Sequence, residues 1–478
     1  MESILWHDYE TFGIDPALDR PSQFAAIRTS LELEPIAEPI MLYCAPSDDC
    51  LPSIDACLIT GITPQEARAK GLSEPEFVAK IHTEFIQSGT CGAGYNSIRF
   101  DDEVTRHCFY RNFYDPYARE WQNGNSRWDI IDMVRATYAL RPEGINWPES
   151  EPGVPSFRLE LLTQANGLAH EAAHDALSDV RATIALAKLI RDKQPQLYQY
   201  CWDLKNKQHV SRMLDLRRHK PFVHVSSKIP ASRGCVSVFM PLVKHPQNGN
   251  GIICIDLMID PDSWLNQSSE TMLELMYKKS EDMQDGETRA PIKTIHLNRS
   301  PFICPLSMLD QTTQTQLQID TAECERHWQV LLSAADLDKK ISRLFAEPFS
   351  QTKDVEASLY AGFIPDSDKK LCQEVIESNE SDLNEKVFNF SDHRLNELLL
   401  RYKARHFPST LSESEGSIWE EYVLERYLVN AEGGESAFQQ YADDLNNRLN
   451  GNADESDLAI LHQLRKWMLD FQNRYYKA

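Results

Sequence analysis

The sequence has no C-x-x-C pair, no apolar run approaching the roughly 18 residues that span a bilayer, and far fewer cations than acids. Each absence removes a class of protein. Eleven cysteines, an odd number, lie singly from Cys44 to Cys372, which fits reduced, buried thiols rather than a disulfide framework, a zinc ribbon or a redox pair. The opening residues MESILWHDYE carry neither a basic leader nor an apolar run of signal length, so the expected location is the cytoplasm. No internal repeat or low-complexity segment interrupts the chain. With 49 Lys and Arg against 72 Asp and Glu, a net charge of −23 repels phosphates at long range and argues against non-specific coating of nucleic acid.

What is present is a globular composition, 42% apolar and 25% charged, in 478 residues. At about 100 to 200 residues per domain, three domains are expected. Residues 1–194 mix apolar runs such as Ile4-Leu5-Trp6 with amphipathic stretches, as an α/β domain does. The last of those stretches runs from Ala176 through Arg191, with Leu177, Val180, Ile184 and Ala187 at helical spacing and Pro195 just beyond. Residues 195–349 change to short β-type runs, Phe222 to Val225, Cys235 to Met240, Ile252 to Leu257 and Ile292 to Leu297, which suggest a small barrel or sandwich. Residues 350–478 read as acidic and all-helical, with patterns such as Arg394 to Tyr402 and Ala459 to Phe471. One basic island stands out: Lys205, Lys207, Arg212, Arg217, Arg218, Lys220 and Lys228 against the single acid Asp215.

Three acidic elements carry the chemistry. In His7-Asp8-Tyr9-Glu10, strand alternation puts Asp8 and Glu10 on one face, where two close carboxylates call for a hard divalent cation such as magnesium or manganese. In Gly94-Tyr95-Asn96-Ser97-Ile98-Arg99-Phe100-Asp101-Asp102-Glu103, a turn leads into a helix whose first turn is acidic, a placement the helix dipole favours in any case. In His174-Asp175-Ala176-Leu177-Ser178-Asp179, Asp179 lies inside the helix and His174 at or before its start. Each element alone has an ordinary explanation as a cap or turn. Together they supply what two-metal phosphodiester cleavage needs: ligands for metals about 3.5 to 4 Å apart, and a histidine to take a proton from the attacking water.

A competing motif overlaps the third element. His170-Glu171-Ala172-Ala173-His174 fits the zinc-protease pattern H-E-x-x-H, with Glu171 as base. Its extended form fails because Leu177 stands where Gly is needed, no further Glu appears before Glu270, and Asn166-Gly167 leaves little helix upstream.

The acidic pattern resembles the DEDDh family of 3′→5′ exonucleases, with Asp8, Glu10, Asp101 and Asp179 matching its four acids and His174 its general base. The resemblance, not the spacing, selects Asp101 over Asp102. The strings HDYETFG, PALDRP, LITGITPQEARAKG, FDDEVTR, FYRNFYDPYA, ALRPEGINWP and PSFRLE are similar to bacterial exonuclease I, and the likeness continues through HKPFVHVS to the C-terminal helices. It implies a ribonuclease-H-like exonuclease domain (a mixed sheet flanked by helices), an SH3-like β domain and an all-α C-terminal domain. It also implies processive 3′→5′ degradation of single-stranded DNA to 5′-mononucleotides, with two Mg2+ per site or Mn2+ in their place, in DNA repair and recombination. Alternatives kept open are an RNA-directed or proofreading exonuclease, and a binding module that retains the fold.

Between Arg106 and Arg141 six arginines alternate with Phe109, Tyr110, Phe113, Tyr114, Tyr117, Trp121, Trp128 and Tyr138, a sequence-tolerant grip for a single strand. Phe109, Phe113 and Tyr138 are read as core, and Trp128 fits either core or groove. The resemblance implies that DNA is lined by Arg106, Tyr117, Trp121, Arg135, Tyr200, Lys207, Asn250, Lys293 and Asn298 across the first two domains, with Arg158, alongside Glu10, at the phosphate near the cleaved bond. It further implies a monomer that docks the C-terminal tail of the single-stranded DNA-binding protein, with Lys220 contributing. Asp310 and Leu332 stand where further basic residues of that pocket would be sought.

Overall fold

The computed structural model describes residues 2–169, 175–279, 282–284, 287, 289–346, 354–429 and 434–475. It divides into two compact units: Met1–Asn125 with Glu171–Arg181 and Gln351–Ala478, and Ser126–His170 with Ala182–Ser350. Among the described residues, no helix is long and apolar enough to cross a membrane, and all eleven cysteines are buried thiols.

In the first unit, strands β1 (Ser3–Thr11), β2 (Pro21–Thr29), β3 (Ile40–Tyr43) and β4 (Thr90–Gly94) lie in the order β3-β2-β1-β4. β1 runs antiparallel to β2 and parallel to β4. Its alternate residues face opposite ways, and on one face Leu5 and Tyr9 join a core with Phe24, Phe77, Phe85, Val104 and Phe109. That core is completed by α1 (Glu74–Phe85) and α2 (Asp101–Arg111). α1 starts on a capping box, Ser73 with Glu76, which satisfies helix donors that would otherwise be unpaired. Pairing of β1 with β4 ends at Trp6 and Ala93, so His7 to Thr11 extend past the end of β4. There the chain turns through Gly94, where a Cβ would come within 3.0 Å of the His7 carbonyl, and Asn96, whose φ of 60° is left-handed. Only this tight exit brings α2 back against β1.

The C-terminal helices share cores with these elements. Phe12, Ile54 and Cys57 pack with Trp419, Phe438, Leu461 and Phe471, and Tyr110 and Phe113 pack with Val375, Leu395 and Tyr402. Buried ion pairs reinforce the apolar contacts. Glu356, 1% exposed, receives Arg20 at 2.6 Å and also meets Arg401 and Arg405, while Arg405 grips Asp49 at 2.9 Å. Burial alone would raise the Glu356 carboxyl, but the Arg20, Arg405 and Arg401 guanidiniums hold it well below the usual carboxylate range.

The second unit contains an antiparallel sheet built from Phe222–Val225, Val236–Lys244, Gly251–Asp256, Ile292–His296 and Ile303–Pro305. The β-type runs expected from sequence correspond to the first four of these strands. Trp128 belongs to the core of this unit: it is 1% exposed and meets Tyr198 and Trp202 edge-on. Phe109 and Phe113 are likewise buried, whereas Tyr138 is half-buried against Trp147 and Phe157.

Removing Glu356 takes a shared carboxylate from three buried guanidiniums. Glu356→Ala is expected to cost ~3–5 kcal/mol, read as a lower urea midpoint, and an unchanged midpoint would show that the cluster does not hold the helices in place.

Candidate active site

The site forms where β1 outruns β4. Asp8 and Glu10 project from the face of β1 opposite the Leu5–Tyr9 core, and Asp179 reaches them from the first turn of α3 (Ala176–Lys193). One carboxylate oxygen from each of the three lies within 4.8 Å of the other two. Asp101, the first residue of α2, adjoins the trio: its Oδ1 accepts the backbone N–H of Tyr9 at 3.0 Å, between the two β1 acids. Three further bonds fix these elements. Thr105 Oγ1 lies 3.1 Å from the Tyr9 hydroxyl and donates to the Asp101 carbonyl at 2.8 Å. The start of α3 is tied to β2 by Ala176 N–H donating to Gln23 Oε1 at 3.1 Å, and Gln23 is the cross-strand partner of Glu10.

The acids penalise one another. Burial, followed by the charges of Asp101, Glu10 and Asp179, raises the Asp8 carboxyl well above the usual range. Burial, then Asp179, Asp101 and Asp175, pushes Glu10 up to about 9. Asp175 was not singled out in the sequence; it accepts the Ser178 N–H at 3.1 Å, as a helix cap does, and its charge is also felt in the site. An all-oxygen, half-buried donor set whose members resist ionising together fits a hard divalent cation, whose charge would remove the repulsion.

The neighbouring acids divide between two sides of β1. Asp102 is 1% exposed and receives Arg119 Nη2 at 2.6 Å, whereas Asp101 adjoins Asp8 and Glu10. His174, and with it the overlapping His170-Glu171-Ala172-Ala173-His174 motif, lies outside the described residues.

The residues expected along a DNA strand are placed as follows. In the first unit Trp121 is 64% exposed, and Tyr117 is half-buried with Phe363 edge-on to its ring. Arg106 is expected along the strand, and its guanidinium is nearly enclosed by protein. It is 4% exposed, forked onto Glu120 at 2.7 and 2.8 Å and bonded to Glu103 and the Tyr360 hydroxyl, because a buried guanidinium needs carboxylates to offset its desolvation. In the second unit Arg135 is similarly buried and paired with Asp132 at 2.7 Å. Arg158 is open to solvent beside Glu160, and Lys207 is exposed at the start of a short helix. Tyr200 donates to the Ile303 carbonyl, Lys293 to Ser226 Oγ, and Asn298 accepts from Arg127 through its carbonyl; Asn250 is half-buried in a turn. Of the basic island, all but the half-buried Lys205 are exposed, and Asp215 caps the turn by accepting from the Arg217 and Arg218 N–H groups. Lys220 is exposed, Leu332 is 42% exposed, and Asp310 is the N-cap of helix Gln311–Gln316.

Comparison with known proteins defines the class first. Residues 5–187 match the family model "Exonuclease", so a ribonuclease-H-like mixed sheet carrying clustered acids is here the catalytic domain of a nuclease, a hydrolase. Residues 205–347 match "Exonuclease I SH3-like domain" and residues 353–471 match "Exonuclease I C-terminal domain". The chain is 46% identical over 449 residues to Exodeoxyribonuclease I of Escherichia coli (92% of this chain, 94% of that protein), and 42% identical over 469 residues to that of Haemophilus influenzae (97% and 98%). Among solved structures, E. coli Exonuclease I in complex with a dA16 oligonucleotide superposes with a TM-score of 0.93 at 44% identity, covering 98% of this chain and 100% of that one. Exonuclease I from Methylocaldum szegediense gives the same TM-score and coverage at 45% identity. The chain belongs to the exonuclease I family.

A carboxyl whose pKa rises on folding destabilises the fold once it must ionise. The metal-free protein is therefore expected to lose stability as pH climbs from 4.5 toward about 9, the window set by Glu10. Thermal melts in EDTA across that range measure the loss. Added Mg2+ should remove most of it, and a flat profile with and without metal would contradict the electrostatic account.

Proposed function

We propose that this protein removes nucleotides one at a time from the 3′ end of single-stranded DNA, processively and as 5′-mononucleotides, in DNA repair and recombination. The observation that carries the reading is the trio Asp8, Glu10 and Asp179, with oxygens within 4.8 Å of one another and Asp101 alongside. The relatives support the substrate: E. coli Exonuclease I has been solved with a dA16 oligonucleotide and, in a zinc-bound form, with single-stranded DNA.

In this reading Asp8, Glu10, Asp101 and Asp179 hold two Mg2+, or Mn2+ in their place. Bound there, the metals would lower the pKa of the attacking water and stabilise charge on the attacking and leaving oxygens. The protein's own groups do the rest. His174 takes the proton from the water, and Arg158, exposed and carrying five donors, receives a phosphate of the strand. Trp121 and Tyr117 offer ring faces to bases, a contact indifferent to sequence and so compatible with sliding. Arg106, Arg135, Lys207, Asn250, Lys293, Asn298 and Tyr200 contribute polar contacts to the strand, with the Arg106 and Arg135 guanidiniums oriented by Glu120 and Asp132. The working division is an exonuclease domain over 1–194, an SH3-like domain over 195–349 and a helical domain over 350–478, acting as a monomer. The exposed cations around Lys220 suit the acidic tail of the single-stranded DNA-binding protein.

End-labelled single-stranded DNA, duplex DNA and RNA, each with Mg2+ or EDTA, test this directly. Loss of label from the 3′ end of single-stranded DNA alone, only with metal, is expected; preference for RNA, or activity surviving Asp8→Ala, would overturn it. His174→Ala should retain metal and DNA binding while turnover falls by about 10² to 10⁴, and normal turnover would remove the general-base role. Trp121→Ala, which gives up stacking of about 1–3 kcal/mol, should shorten runs on long strands more than it slows cleavage of short ones. Equal losses on both would refute the stacking role.

A further inference from the structure

Behind β1, on the side away from the acidic cluster, lies a buried cation that the proposed hydrolysis does not use. Arg119 is 2% exposed, donates through Nη2 to Asp102 Oδ1 at 2.6 Å, and sits over Phe85 with its guanidinium carbon 4.5 Å from the ring centroid. His7 Nε2 lies 3.7 Å from the same Asp102 oxygen. The backbone makes room for this arrangement: a Cβ on Gly92 would stand 2.9 Å from Phe85 Cε1 and 3.3 Å from Arg119 Nη1.

The pair bears on the site through α2. Phe100, at the N-cap, makes no side-chain capping bond, so the first turn of α2 depends on other anchors. Those anchors straddle β1. On the site side, Asp101 Oδ1 accepts the Tyr9 N–H; on the far side, Asp102 is held by Arg119. Consecutive helical residues diverge by about 100° around the axis, so gripping Asp102 from behind determines where Asp101 points in front.

We infer that Arg119 is a positioning residue for the metal site: by clamping Asp102 behind β1 it fixes the first turn of α2 and so places the Asp101 carboxylate beside Asp8 and Glu10. The inference rests on the reading that these acids hold divalent metal. Groups that orient a ligand without touching the ion typically change affinity by about ten- to a hundredfold when removed.

The test is Mn2+ binding to the DNA-free protein, followed through loss of the free-ion EPR signal. Arg119→Met should weaken binding by about ten- to a hundredfold, with a parallel shift in the metal concentration that half-activates hydrolysis. Arg119→Lys, which keeps the charge but not the planar fork, should recover part of the affinity. Since Arg119→Met leaves a buried acid unpaired and can lower stability, the double variant Asp102→Asn with Arg119→Met removes both charges; its Mn2+ affinity should stay weak although its melting temperature recovers. Wild-type affinity in the double variant, or in a folded Arg119→Met protein, would overturn the positioning role and leave the pair a device for burial only. Asp8→Ala separates the two levels. If it binds Mn2+ as the wild type does, the metal-site reading itself fails; if it loses binding while Arg119→Met does not, only this inference fails.

Discussion

Mutual repulsion among carboxylates is the constraint around which the first unit is organised. Asp8, Glu10, Asp101 and Asp179 crowd one end of β1, with Asp175 close enough to be felt. Such a cluster cannot assemble itself, so each member must be held from outside. β1 is paired on both edges, α2 is bonded through Tyr9 and Thr105, and α3 is bonded through Gln23. The strand most deeply embedded in the sheet carries the charges least willing to be neighbours. A divalent cation relieves what the scaffold enforces.

Elsewhere the same unit treats buried acids in the opposite way. Glu74 is paired with Arg111, Glu356 with Arg20, Arg401 and Arg405, Asp49 with Arg405, Asp102 with Arg119, and Glu103 and Glu120 with Arg106. Burial alone would raise Glu74, yet Arg111 and Arg20 bring it down to about 2, while Glu10 rises to about 9. The contrast is one of surroundings: both carboxyls are desolvated, but arginines lie beside Glu74 and further carboxylates beside Glu10. It also accounts for the setting of Arg106, which is forked onto Glu120 and bonded to Glu103 and the Tyr360 hydroxyl.

The cores explain why distant parts of the chain form one unit. Phe12, which follows the catalytic strand directly, packs with Phe438, Leu461 and Phe471 from the last helices, and Tyr110 and Phe113 from α2 and its exit pack with Leu395 and Tyr402. The C-terminal helices are thus part of the body that holds the acids. Their acidic surfaces coexist with a buried interior rich in arginine, so the net charge of the whole chain says little about the charge any one site meets.

The sequence alone determined the features set by near neighbours. Alternation placed Asp8 and Glu10 on one strand face, helical spacing marked Ala176 through Arg191 with Asp179 inside it, and the turn at Gly94 and Asn96 announced α2. These follow from local backbone geometry, which a few residues are enough to specify. Tertiary structure decided whatever depended on a partner remote in sequence. Asp101 and Asp102 have the same chemistry and the same local setting; they differ because Tyr9, 92 positions away, bonds the first while Arg119 claims the second. Trp128 became core because Tyr198 and Trp202 close over it, and the Arg106 guanidinium is fixed in place because Glu120 meets it. Asp175 caps the start of α3, and its electrostatic share in the site appears only once α3 lies against β1. A pair energy between side chains depends on separation and burial, and neither quantity exists until the chain has folded.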